Sequence, residues 1–72
     1  MANATELLNE AKALIEKRNE LYKKARSIKK HAPATFASQR LINFLNSQAE
    51  ELQEDINANI ALAEIILSKE AA

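Results

Sequence analysis

Seventy-two residues with no cysteine and no glycine allow one small domain at most, and they exclude disulfide staples, thiolate metal sites, glycine-built phosphate loops and αL helix caps. Ten Lys and Arg balance ten Asp and Glu, so formal net charge is zero, and a composition rich in Ala, Leu, Glu, Lys and Asn favours helix. The longest apolar stretch, "IALAEIIL" at 60–67, falls far short of the roughly 20 residues of a membrane span and is interrupted by Glu64.

The first element has a readable start. Asn3 precedes Glu6 by three residues, an Asn version of the capping box, so its side chain can accept from the free N–H groups of a helix N-terminus; Thr5 is the alternative cap. From there Leu7, Leu14, Leu21 and Ile28 recur every seven residues. Ala4, Ala11, Arg18 and Ala25 interleave with them, and Leu8, Ile15 and Tyr22 widen the stripe. Spacings of three and four place all of these on one helical face. Pro33 lacks an N–H and disfavours helical geometry at Ala32, which predicts a first helix over about 4–31.

Residues 32–35 form the turn, and Thr35 or Ser38 can cap a second helix over about 36–69. Ile42, Ala49, Ile56 and Ala63 make one seam position of that helix; Leu45, Leu52, Asn59 and Ile66 make the other. A short connection makes the two helices antiparallel neighbours. The expected fold is all-α: a coiled-coil-like, antiparallel two-helix hairpin filling residues 1–72. Folding about Pro33 brings Ala11 near Ile56 and Ala25 near Ile42, so that small residues face large ones. Charge agrees with side-by-side helices. Residues 1–33 carry eight Lys/Arg against four Glu (8 − 4 = +4), and residues 34–72 carry two against six acids (2 − 6 = −4).

One hairpin has only one seam, and the apolar residues beside it stay wet. Ile60, Leu62, Ile65, Ile66 and Leu67 cannot all face a single partner helix, and Leu7, Leu8, Leu14 and Ile15 lie across from them. These nine residues are the expected protein interface, completed to a four-helix bundle by self-association or by a partner. Two polar residues intrude at the seam. Arg18 is expected to run its stem over apolar neighbours, and Asn59 either fixes register or sits at an edge.

Chemistry is hard to find. His31, the only imidazole, sits where a helix C-terminal charge complements the macrodipole. There is no nucleophile elbow, phosphate loop or His-Glu-x-x-His. "EELQED" at 50–55 pairs Glu50 with Glu54 and Glu51 with Asp55, but no Glu-x-x-His accompanies them, so a solvated acidic face near Lys12 and Lys17 is expected. No enzyme, no cofactor and no metal are expected. Lys23, Arg26 and Lys30 form a basic ridge facing away from the seam, with Lys24 and Lys29 bordering it. Such a ridge can neutralise a few phosphates, although no aromatic residues interleave for base stacking. A small nucleic-acid-binding regulator is thus the alternative reading.

The segment "SQAEELQEDINANIALAEIIL" (47–67), closing on a dense apolar run, resembles the second helix of the small co-chaperones that hold needle subunits of type III secretion systems. The resemblance covers about a third of the chain and includes no diagnostic motif. It implies a cytosolic helper that masks a polymer-forming subunit, with Leu62, Ile65 and Ile66 as contacts, and it leaves the basic first helix unexplained. The N-terminus "MANATELLNEAK" lacks the basic start and apolar stretch of a signal peptide, so a cytoplasmic location is expected, without membrane contact. The expected partner is a second copy, giving a dimer, or another helical protein.

Overall fold

The computed structural model describes residues 3–71. Helix α1 spans Ala4–His31 and α2 spans Phe36–Ala71, and the two pack against each other along their length as an antiparallel hairpin. The pair measures 56 × 17 × 14 Å.

Each helix end has a local cause. Asn3, in extended conformation, accepts from Glu6 N–H at 2.8 Å through Oδ1 and starts α1. At the other end Ala32 adopts φ −89°, ψ 152°, the extended geometry that a following proline imposes, while its N–H still reaches Ile28 O at 2.9 Å. The chain therefore stops α1 without a left-handed residue, which suits a sequence lacking glycine. Thr35 caps α2: its Oγ1 accepts from Ser38 N–H at 3.2 Å, and the two hydroxyls lie 3.0 Å apart. Ser38 thus supports the cap rather than forming it.

Heptad letters describe the packing. With a at 4, 11, 18, 25 and d at 7, 14, 21, 28 in α1, and a at 42, 49, 56, 63 and d at 45, 52, 59, 66 in α2, every buried residue falls on an a or d position. The buried set is Ala4, Leu7, Ala11, Ala25, Leu45, Ala49, Ile56 and Ala63. Five of these eight are alanine, which lets the helices approach closely but removes little apolar surface from water. Among the described residues Ile56 is the only large side chain that is almost completely enclosed.

Ala4 and Leu7 form one cluster with Ala63, and Ile66 packs against it. That arrangement layers an a residue of one helix with a d residue of the other: Ala4 with Ile66, Leu7 with Ala63. Carried along by heptads, it sets Ala11 against Asn59, Leu14 against Ile56, Leu21 against Ala49 and Ala25 against Leu45. Ala25 and Ile42 line one groove, as folding about Pro33 expects, and small residues alternate with large ones at both seam positions.

An elongated pair of rods keeps much of its surface wet. Its accessible area is 5650 Å², against about 4,500 Å² for a compact globular chain of the same mass of 8.0 kDa.

Candidate protein-interaction surface

The seam divides the remaining surface into two flanks. Positions e and b lie to one side of an a/d seam and positions g and c to the other. In an antiparallel pair the e side of α1 adjoins the e side of α2. The grooves follow this rule: Arg26, Lys29, Gln39, Asn43 and Asn46 line one, and Lys17, Glu20, Lys24, Gln48, Glu51 and Asp55 line the opposite one.

The nine residues expected at the interface therefore separate into three groups. Leu7 is buried inside the hairpin, and Leu14 and Ile66 are half-buried at seam positions. Leu8, Ile15, Ile60 and Leu67 are all e residues, and they gather on one side of the open end, the Leu8 flank. Leu8 is 43% exposed and Leu67 46%, with Ile15 and Ile60 half-buried. Leu62 (g) and Ile65 (c) point to the other side, the Leu62 flank, and are 48% and 52% exposed. The run 60–67 is thus two surfaces, not one, because winding carries alternate pairs to opposite sides of the seam.

Phe44 and Leu41, exposed on the Leu62 flank near the turn, extend that surface. Phe44 lies outside every seam position and drew no attention in the sequence. A signal was present, since Leu41 and Phe44 are three residues apart and Leu62 and Ile65 repeat that pair three heptads later. Between the two apolar pairs the flank is charged, with Glu51 and Asp55 across a groove from Lys17 and Lys24. The acidic face thus adjoins Lys17 and Lys24. Lys12, at a b position, lies toward the Leu8 flank instead.

Polar groups cross the Leu8 flank at mid-length. The Arg18 guanidinium donates to Gln53 Oε1 of α2, and its Nη2 donates to Asn19 Oδ1 at 2.9 Å; Gln53 Nε2 in turn donates to Asn57 Oδ1 at 2.9 Å. The Arg18 head group therefore reaches out of the seam to Gln53. Asn59 behaves differently. It sits at a d position facing Ala11, and its Nδ2 is buried with no hydrogen-bond partner.

Lys23, Arg26 and Lys30 are all exposed on the outer side of α1. Lys23 and Arg26 share a shallow depression with Glu16, Asn19 and Glu20, so acids border the ridge at its N-terminal end. At the turn, the Arg40 guanidinium lies 5.9 Å from the centre of the exposed Phe36 ring, a surface cation–π contact.

Among the described residues no group of three His, Cys, Asp or Glu is placed to hold a metal ion, and no helix is long and apolar enough to cross a membrane. No protein-family model matches the chain, and no curated protein and no solved structure matches it. The likeness of 47–67 to the needle-subunit co-chaperones therefore rests on those residues alone.

Proposed function

We propose that the chain is a non-enzymatic, cytoplasmic protein–protein interaction module that works by packing its apolar flanks against other helices. It acts as a homo-oligomeric bundle or as a small adaptor or chaperone for an assembly component. One observation carries this reading. Five of the eight buried seam residues are alanine, while Leu8, Leu41, Phe44, Leu62, Ile65 and Leu67 each remain at least 43% exposed at regular helical positions. Side chains of that size gain about 1.5–3 kcal/mol each on full burial, so the unsatisfied apolar surface outweighs any surface ion pair as a driving force. A chaperone-like role draws its support from the resemblance of 47–67.

The test uses one chain with both flanks spoiled: Leu8→Asp, Leu67→Asp, Leu62→Asp and Ile65→Asp together. All four sites are exposed, so helicity by circular dichroism should persist. Cross-linking in the native cell should give parent-specific adducts, with itself or with another helical protein, that this variant loses. A parent chain that sediments as a monomer and cross-links to nothing would sink the reading.

A further inference from the structure

The two flanks differ in a way that selects a partner for one of them. On the Leu62 flank all four exposed apolar residues belong to α2, and the facing g and c positions of α1 are Glu6, Glu10, Lys17, Glu20 and Lys24 beside Ala13 and Ser27. On the Leu8 flank both helices contribute, Leu8 and Ile15 from α1, Ile60 and Leu67 from α2. A surface that is apolar on both of its helices is what two hairpins need to share one core.

We propose that a second copy of this chain covers the Leu8 flank, with a two-fold axis parallel to the helices so that both open ends lie together. This deepens the helix-packing reading and rests on it.

Three properties select that arrangement. The first is layering. From the open end the flank runs from Leu8, Leu67, Ile60 and Ile15 through the Arg18–Gln53 belt to Lys29, Gln39 and Asn46 near the turn. An axis parallel to the helices keeps every layer at its own height, so apolar meets apolar and Arg18 of one copy meets Gln53 of the other. Turning the second copy end over end about the middle would press Leu8 and Leu67 against Lys29 and Gln39.

The second property is charge. The parallel axis sets α1 of each copy against α2 of the other, the +4 half against the −4 half. On the rim of the flank α1 carries Lys12, Arg26 and Lys29, and α2 carries Glu50 and Glu64. An end-over-end dimer shifted to overlap only the apolar ends would instead place α1 on α1, bringing Lys12 of each copy to the same side of the contact. Like charges across an interface discriminate strongly against a wrong arrangement.

The third property is area. A flank of up to 56 × 17 Å covers about 950 Å², against the roughly 800 Å² per partner that a standard stable interface buries. Pairing also removes surface of the size by which the lone hairpin exceeds a compact chain.

Because the chain has no cysteine, single-cysteine spin labels report the arrangement cleanly. Labels at Ser68→Cys, by the open end, and at Ala37→Cys, by the turn, should each give an inter-copy distance within about 30 Å, the width of a four-helix bundle. A distance of about 50 Å or more at Ala37, the length of a helix, means the copies run end over end and overturns the proposal. Leu8→Asp with Leu67→Asp should weaken dimerisation at least about 100-fold in sedimentation while helicity persists, and Leu62→Asp with Ile65→Asp should leave it within about twofold. The reverse pattern overturns the proposal while retaining the helix-packing reading. So does a parent that stays monomeric at about 100 µM yet still forms cross-links to another helical protein in the cell.

Discussion

The tethered end and the free end of the hairpin are held by different forces. At the turn, Ile28 and Ile42 are only half-buried, and the Leu8 flank beside them is polar. What holds this end is covalent and local: Pro33, the Ala32 N–H bonded to Ile28 O, and the Thr35 cap. At the free end nothing covalent joins the helices, yet Ala4, Leu7 and Ala63 are buried together with Ile66 packed on them. Connectivity supplies the effective concentration at one end, so that end tolerates a loose seam. The other end must be closed by packing, and its apolar surplus spreads to both flanks.

Breaking the seam at its two ends should therefore have unequal consequences. Leu7→Ala removes a side chain that is 6% exposed and leaves a cavity against Ala63, a loss of about 2–5 kcal/mol. For a chain this small that is a large share of its whole stability. The matching change at the turn, Ile28→Ala, acts on a half-buried residue and should cost roughly half as much, since less apolar area returns to water. Thermal melts of both variants check this. Equal losses would show that the free end is no better packed than the tethered one.

A second substitution sharpens the comparison from the opposite direction. Asn59 lies three layers in from the turn-distal end of the seam with an unpaired, buried Nδ2. A buried polar group without a partner costs about 1–3 kcal/mol, so Asn59→Leu should raise the melting midpoint. Polar residues at seam positions trade stability for a single register and oligomer state. The same variant should accordingly lose definition of its assembly, with more than one species in sedimentation. Gained stability with one unchanged species would assign Asn59 no specifying role.

Much of this was readable in the residues themselves. The seam was, because Ala, Leu and Ile at spacings of three and four leave a helix no other way to turn. The stop was, because proline acts through its own covalent geometry on Ala32. The division of 60–67 between two flanks was not. A run of apolar residues carries no mark of which side of the seam each one occupies until the seam is fixed, and only then does Leu62 part from Leu67. Phe44 was overlooked because exposure, like seam membership, is a relation between helices.

The smallest expected effect concerns how the turn couples to the rest. Thr35 Oγ1 satisfies the Ser38 N–H, one of the donors left free at the start of α2. Thr35→Ala removes that acceptor and should cost about 1 kcal/mol. If the turn end is held locally, the loss stays local: hydrogen exchange should quicken in residues 36–40 while the amides around Ala63 keep their protection. Thr35→Ser, which keeps an oxygen in place, should restore the parent rates. Exchange that quickens equally around Ala63 would mean that the two ends open as one cooperative unit, and the contrast between tether and packing would then describe where contacts lie without describing how the hairpin comes apart.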